Sequence, residues 1–321
     1  YKEIKMRIGI QLSTNKKKYE SFLDLLNNKI NSNVKIDYIH IKNDLELKKY
    51  ISEIDVLATY AITEEIFSKK SDKLKWIHFG AAGIDKNLFP AMLKSKVIVT
   101  NSKGIHANPV SEFCIGMILY LSKQFIGCED FKKTKKWTQW DLARQTIQLQ
   151  NKTIGIIGYG KIGKAIAKKA KLFDMEVIAT RRLQKKIECK KTVDKLLPIS
   201  NLSYLISNSD FIVIACPLTP LTKGMIGINE FALMKKSAFI VNIARGSIID
   251  EKELITVLKN NKIAGAALDV FEEEPLNTSS ELFNLDNVFL SPHISGNFHD
   301  YQVDVVVQFA DNLNRFIKGK T

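Results

Sequence analysis

Ile154-Gly155-Ile156-Ile157-Gly158-Tyr159-Gly160-Lys161-Ile162-Gly163 is an apolar, strand-like run that breaks into G-x-G-x-x-G and passes into a helical pattern. Glycines at 158 and 160 allow backbone to approach a pyrophosphate closely, and Gly163 lets the following helix pack against the strand. The start of that helix, at Lys161 and Ile162, offers N–H groups to anionic oxygens. Three glycines alone would fit a bland tight turn. The context argues for a dinucleotide site: Lys152 to Ile157 reads as a strand, and Ile162, Ile166, Ala170 and Phe173 recur at helical spacing.

Outward from this turn, β-rich runs alternate with helical patterns. After residue 150 the strand candidates are Thr153 to Ile157, Glu176 to Thr180, Phe211 to Ala215, Ala238 to Ile243, Ala264 to Val270 and Asn287 to Leu290. The first hundred residues repeat the rhythm with Met6 to Leu12, Val34 to Ile41, Val56 to Tyr60, Leu74 to Phe79 and Val97 to Asn101. Such alternation predicts parallel sheets and an α/β fold of two doubly wound, Rossmann-like units. Between them lie a helical pattern from Pro109 to about Gln124 and a polar, Trp-containing stretch to Gln150 with the character of a connecting arm. Tyr301 to Ile317 reads as a final helix with Val306, Phe309, Leu313 and Phe316 on one face.

Composition sets the class. A chain of 321 residues with 45% hydrophobic content can bury two ordinary cores, which excludes a disordered protein. No apolar run reaches membrane-spanning length and the start lacks a signal-peptide core, so a cytoplasmic location away from membranes is expected. The chain starts at Tyr1, which makes Met6 a candidate natural start. Cys114, Cys128, Cys189 and Cys216 have no metal-like spacing, so reduced thiols and no metal site are expected. The net charge of +14 raises the question of nucleic acid. Its lysines are dispersed, in runs such as Lys16-Lys17-Lys18, Lys168-Lys169 and Lys185-Lys186, with no nucleic-acid motif, so a solvated basic surface is the expectation.

Three polar groups stand where strands of the second unit run out, the edge at which open α/β sheets hold ligands. Arg245 follows an apolar strand in Asn242-Ile243-Ala244-Arg245-Gly246, and its guanidinium fork suits a 2-keto or 2-hydroxy carboxylate. A loop-capping surface Arg is the alternative. His293, in Ser291-Pro292-His293-Ile294-Ser295-Gly296, is the natural proton carrier for hydride transfer to a carbonyl. Glu274, in Phe271-Glu272-Glu273-Glu274-Pro275, is a candidate partner for that imidazole. Taken singly, a lone His is more often structural and an acidic triplet is usually a solvated loop. The combination points to catalysis.

Across essentially its full length the chain resembles the D-isomer-specific 2-hydroxyacid dehydrogenase family, in particular its glyoxylate/hydroxypyruvate reductases and the related phosphoglycerate dehydrogenases. The resemblance rests on the nucleotide fingerprint, Cys216-Pro217-Leu218-Thr219-Pro220, the block Asn242 to Asp250, Leu268-Asp269-Val270-Phe271 followed by Glu274, and Ser291-Pro292-His293. It implies that Arg245 binds the substrate carboxylate and carbonyl, that His293 is the acid/base, and that Glu274 pairs with it. It also implies that Asp269 helps place the nicotinamide carboxamide, with Val110, Gly158, Gly160, Lys161, Ile162, Gly163, Arg181, Arg182, Cys216, Pro217, Ile243, Ala244 and Gly296 completing the cofactor set. The family uses the backbone of a first-domain loop to hold the substrate carboxylate. Gly80-Ala81-Ala82-Gly83-Ile84-Asp85 looks like that loop, with Ala81, Ala82 and Gly83 as its contacts, since small residues expose N–H groups to an anion. The implied domains are a flavodoxin-like substrate-binding domain, 1–106 plus 297–321, and a dinucleotide-binding Rossmann domain, 107–296, with the active site in the interdomain cleft. Family members commonly form homodimers through the cofactor domain. The arm with Trp137 and Trp140 is then a candidate partner contact, with packing inside one chain as the alternative.

An NAD-preferring Rossmann site carries an acidic residue at the end of its second strand. Here Met175-Glu176-Val177-Ile178-Ala179-Thr180-Arg181-Arg182 places Arg181 at that position with Arg182 beside it, which suits the 2′-phosphate of NADP over NAD. The end at Thr321 leaves no room for an added regulatory domain, and Thr59-Tyr60-Ala61 lacks an Arg for a substrate phosphate. Reduction of small keto acids such as glyoxylate or hydroxypyruvate is therefore expected, with an NAD-dependent phosphoglycerate- or lactate-type dehydrogenase as the alternative. Formate dehydrogenases of the same fold pair their His with Gln, so Glu274 argues for acid/base carbonyl chemistry. A dinucleotide-sensing, corepressor-like scaffold is the alternative of another class, and the acid/base set counts against it.

Overall fold

The computed structural model describes residues 5–31, 34–84 and 87–319. It divides into two compact units, Tyr1–Ile105 with Phe298–Thr321, and His106–Asn297.

The first unit is a five-stranded parallel sheet in the order β2-β1-β3-β4-β5, formed by β1 (Lys5–Gln11), β2 (Lys35–His40), β3 (Val56–Thr59), β4 (Trp76–Phe79) and β5 (Ile98–Asn101). β3 and β4 are buried along their whole length, as expected of strands covered by helices on both faces. Helices α1 (Lys16–Lys29), α2 (Asp44–Tyr50), α3 (Glu64–Ser68) and α4 (Pro90–Leu93) connect them, and α12 (Tyr301–Ile317) returns from the end of the chain. Asn15 starts α1 by accepting the Lys18 N–H at 3.2 Å, and Tyr19, Phe22 and Leu26 then fall on one buried stripe. α12 buries Val305, Val306, Phe309, Ala310 and Leu313 in the same core, where Phe309 stacks on Trp76 with centroids 5.2 Å apart. Each such Val, Leu or Phe side chain contributes about 1.5–3 kcal/mol when removed from water.

The second unit begins with α5 (Ala107–Ser122), α6 (Phe125–Thr134) and α7 (Gln139–Gln145). Its eight-stranded sheet runs β13-β12-β11-β10-β6-β7-β9-β8, with β6 (Thr153–Ile157), β7 (Glu176–Arg181), β8 (Glu188–Lys190), β9 (Val193–Pro198), β10 (Phe211–Ile214), β11 (Phe239–Asn242), β12 (Gly265–Leu268) and β13 (Val288–Leu290). α5 and α8 (Lys161–Lys171) cover one face, while α9 (Leu202–Asn208), α10 (Ile228–Leu233) and α11 (Glu251–Lys259) cover the other. β6 pairs with β7 on one side and with β10 on the other, so the chain changes direction across the sheet at the end of β6. That is the switch point at which doubly wound sheets bind ligands.

Three readings of the sequence need correction. The polar stretch after Gln124 is helical in α6 and α7, neither of which contains a buried residue, so no core periodicity marked them. The parallel rhythm omitted β8 and β9, and β8 runs antiparallel to β9 at the sheet edge. Phe173 lies beyond the end of α8 and is 37% exposed, so it is no part of the helix's buried stripe. Among the described residues no helix is long and apolar enough to cross a membrane.

Candidate active site

The nucleotide-type turn is built by steric necessity. Gly158 has φ +106°, and a Cβ there would lie 2.7 Å from the Cys216 nitrogen, so only glycine fits. A Cβ on Gly163 would stand 2.1 Å from the Gly158 carbonyl oxygen, which is the close helix–strand packing expected of the third glycine. Gly160 is different: nothing lies within 4 Å of its Cβ position. The middle glycine therefore faces open space at the N-terminus of α8, with Lys161 and Ile162 in the first turn, and the cradle fits a pyrophosphate. Arg181 ends β7, exposed, with Arg182 exposed beside it. Cys216 and Pro217 follow β10 after Ala215; burial pushes the Cys216 thiol up to about 11, so it packs as a neutral group. Val110, buried on α5, neighbours Gly296, whose Cβ position is 3.6 Å from Val110 Cγ2.

Arg245 sits on a turn held from beneath. Buried Asn242, the last residue of β11, donates to the Arg245 carbonyl at 3.0 Å and accepts the Ala244 N–H at 3.1 Å. Ile243 is buried in this turn, and Arg245 Nη1 donates to the Ala244 carbonyl at 2.7 Å. A Cβ on Gly246 would fall 1.8 Å from the Phe271 carbonyl carbon. Glycine after Arg245 thus brings its turn against the segment that leads to Glu274.

Glu274 Oε1 accepts the Phe271 N–H at 3.1 Å, and its Oε2 lies 2.8 Å from His293 Nδ1. Burial alone would raise the Glu274 carboxyl, but bonds from His293 and the Phe271 N–H, with the charges of His293 and Arg245, outweigh it and hold the group below its ordinary range. An ionised carboxylate assigns the Nδ1 proton to the bond with Glu274 and leaves Nε2 to face outward. His293 itself is in the left-handed region at φ +53°. Asp269 fixes that conformation. Fully buried at the end of β12, it accepts Ser291 Oγ at 2.6 Å, the Ile294 N–H at 2.9 Å and the Ser295 N–H at 3.0 Å, while its carbonyl accepts the His293 N–H at 2.9 Å. Beside the pair lies a cavity of about 710 Å³ walled by Phe271, Leu276, Phe283, Leu290 and Pro292.

In the first unit, the loop after β4 shows partly exposed Ala81 and Ala82 and exposed Gly83. Asp85, the end of the anticipated motif, lies outside the described residues. The anticipated residues of the second unit thus gather at one sheet edge, whereas Asn242, Ser291, Asn101 and Tyr301 were not singled out by the sequence. Asn242 carries a readable signal, a polar residue closing an apolar strand. Tyr301 carries none, because its partner Gly80 is 221 residues away.

A glycine-rich turn at the switch point of a doubly wound sheet, with an arginine, a carboxylate and an imidazole nearby, has the makings of a dinucleotide-dependent enzyme, and the comparisons with known proteins show the family. A family model described as "D-isomer specific 2-hydroxyacid dehydrogenase, NAD binding domain" matches residues 115–295. A glyoxylate reductase of Thermococcus litoralis is 34% identical over 282 residues, covering 85% of this chain and 84% of the relative. A D-3-phosphoglycerate dehydrogenase of Methanocaldococcus jannaschii is 34% identical over 279 residues, covering 86% of this chain and 52% of the relative. The solved structure of a D-isomer specific 2-hydroxyacid dehydrogenase family protein from Aeromonas salmonicida subsp. salmonicida superposes with a TM-score of 0.82 at 27% identity, covering 99% of this chain and 97% of that one. The chain belongs to the D-isomer-specific 2-hydroxyacid dehydrogenase family, oxidoreductases that use NAD(P).

Proposed function

We propose that the protein reduces small, unphosphorylated 2-keto acids to D-2-hydroxy acids and prefers NADPH to NADH. The observation that carries this reading is the 2.8 Å pairing of His293 with Glu274 on a loop that Asp269 holds rigid, beside the Arg245 turn. A purely sensory protein has no use for such a proton donor.

The residues divide the work. Arg245 grips the substrate carboxylate and polarises the neighbouring carbonyl. His293 delivers a proton from Nε2 to the oxygen that gains charge, and Glu274 stabilises the imidazolium and fixes its tautomer. In the first unit, the N–H groups of Ala81, Ala82 and Gly83 are assigned to the substrate carboxylate. Bound nicotinamide supplies the hydride. Gly158, Gly160, Lys161, Ile162 and Gly163 would hold its pyrophosphate, Arg181 and Arg182 the 2′-phosphate, and Val110, Cys216, Pro217, Ile243, Ala244, Asp269 and Gly296 the remainder. The absence of a carboxylate at the end of β7 supports the NADPH preference. Relatives named glyoxylate reductase, 33–34% identical, support glyoxylate or hydroxypyruvate as substrate. The phosphoglycerate dehydrogenase relative keeps an NAD-dependent dehydrogenase as the second reading. Free cysteines and the arm's exposed tryptophans support a cytoplasmic homodimer.

The test is initial-rate oxidation of NADPH and NADH, side by side, with glyoxylate, hydroxypyruvate, 3-phosphohydroxypyruvate, pyruvate and bulkier 2-keto acids. Fast NADPH-dependent turnover of glyoxylate or hydroxypyruvate is the expected result. Preference for NADH with the phosphorylated acid would establish the second reading, and tight dinucleotide binding without turnover would favour a sensor.

A further inference from the structure

The loop after β4 contains three peptide units whose two ends meet different fates. On the carbonyl side, Gly80 O accepts from the Tyr301 hydroxyl, Ala81 O accepts the Ser102 N–H at 3.1 Å, and Ala82 O accepts Asn101 Nδ2 at 2.6 Å. On the other side, the N–H groups of Ala81, Ala82 and Gly83 have no partner among the described residues. These are the same three peptide planes. A trans peptide is planar and points its N–H opposite to its C=O, so a bond that fixes each carbonyl also aims the N–H behind it. Three consecutive donors are thereby held toward the side on which an anion is expected.

Two of the three anchors are side chains, and they come from different parts of the chain. Asn101 is the last residue of β5, the strand beside β4. Tyr301 is the first residue of α12, so the C-terminal helix brings a hydroxyl to the Gly80 carbonyl. The Tyr301 ring is itself fixed, stacked on Tyr60 with centroids 6.4 Å apart and meeting Phe298 edge-on at 5.8 Å. Gly80 makes the approach possible, since a Cβ there would lie 2.7 Å from Tyr60 Cε1. Burial raises the Tyr301 phenol above its ordinary range, so the hydroxyl remains a donor at any working pH.

We propose that Tyr301 and Asn101 are positioning residues: their hydrogen bonds to the Gly80 and Ala82 carbonyls orient the Ala81–Gly83 N–H row for the substrate carboxylate. This rests on the reduction proposed above and assigns affinity, not chemistry, to the two side chains. The proton and the guanidinium lie elsewhere in the chain, so loosening the loop weakens carboxylate binding and leaves the proton transfer intact.

The test uses Tyr301→Phe, which removes one oxygen and keeps the stacked ring, and Asn101→Ala, each checked against wild type for an unchanged melting temperature. Each variant should raise KM for the 2-keto acid about five- to tenfold, the loss of one hydrogen bond to a binding element, with kcat and the KM for NADPH within about twofold of wild type. The second readout is independent of turnover: calorimetric titration of oxamate, a non-reducible isostere of pyruvate, into the NADPH-loaded enzyme. Its Kd should rise by the same factor in both variants. Unchanged KM and oxamate Kd in Tyr301→Phe would overturn the proposal while leaving the reductase reading intact. A wild-type protein that turns over no 2-keto acid but binds oxamate, with the expected loss in both variants, would sink the reductase reading and keep the positioning role. A parallel fall in kcat and NADPH affinity would mark a general structural role and overturn it.

Discussion

His293 shows how a single residue's environment limits its chemistry. Its backbone is held at φ +53° by a buried carboxylate, and its Nδ1 is committed to Glu274, so only Nε2 is left to exchange a proton. His293→Ala should therefore lower kcat by about 100-fold or more while the NADPH dissociation constant moves less than about twofold, because the proton matters in the transition state and not in cofactor binding. Steady-state rates with fluorescence titration of NADPH check it, and a kcat near wild type would remove His293 from the mechanism. Arg181→Asp belongs to the same scale. Replacing the cation at the end of β7 by a ribose-binding carboxylate should reverse the ratio of kcat/KM for NADPH over NADH, and an unchanged ratio would show that Arg181 does not read the phosphate. His293 and Arg181 could be singled out from the sequence because each is a chemistry-bearing type at, or within three residues of, the end of an apolar strand. Asn101 and Tyr301 were illegible for the opposite reason: their partners are backbone carbonyls 19 and 221 residues away, and a carbonyl leaves no mark on composition.

At the scale of elements, strand identity was readable wherever both faces are buried. β6, β10 and β11 appear in the sequence as mainly apolar runs, and Thr153 to Ile157 coincides with the strand end to end. β9 escaped because it mixes Asp194 and Lys195 with its buried residues. The charge is structural there, with Asp194 accepting the Val177 N–H at 2.7 Å and pairing with Lys171 at 2.6 Å. A different polar residue gives the β4–β5 layer a pH response. His78 is fully buried, its Nδ1 2.9 Å from Thr100 Oγ1 and its Nε2 3.2 Å from Ser102 Oγ, and burial lowers it to about 4 from 6.5. In the unfolded chain this imidazole takes up a proton near 6.5, while in the native state it stays neutral until about 4. Its contribution is thus fully present above pH 6.5 and is lost as pH falls toward 4, a loss of about 3 kcal/mol by linkage. The urea midpoint, read by the emission of Trp76 as the buried tryptophan, should drop over that interval, and in His78→Gln the drop should be clearly smaller. Identical slopes in the two proteins would place the acid sensitivity elsewhere.

At the scale of the whole molecule, the arm is the part that its own unit does not use. α6 and α7 contain no buried residue, and Trp137 and Trp140 are 78% and 69% exposed, with Phe125 and Phe131 also open to water. Packing within one chain, the alternative weighed from the sequence, does not cover these rings. A chain that leaves two tryptophans and two phenylalanines exposed on one short segment gives up several kcal/mol of burial unless a second surface removes them from water. A second copy is the economical partner, since a two-fold arrangement buries both arms at once. Equilibrium sedimentation at micromolar concentration should then report twice the chain mass of 36.4 kDa. Because aromatic anchors dominate such contacts, at about 2 kcal/mol or more each, Trp137→Ala combined with Trp140→Ala should weaken the dimer by about a thousandfold and yield monomer at the same concentration. A wild-type monomer would show that the arm meets a different partner, and a double variant that remains dimeric would place the interface on another face of the second unit.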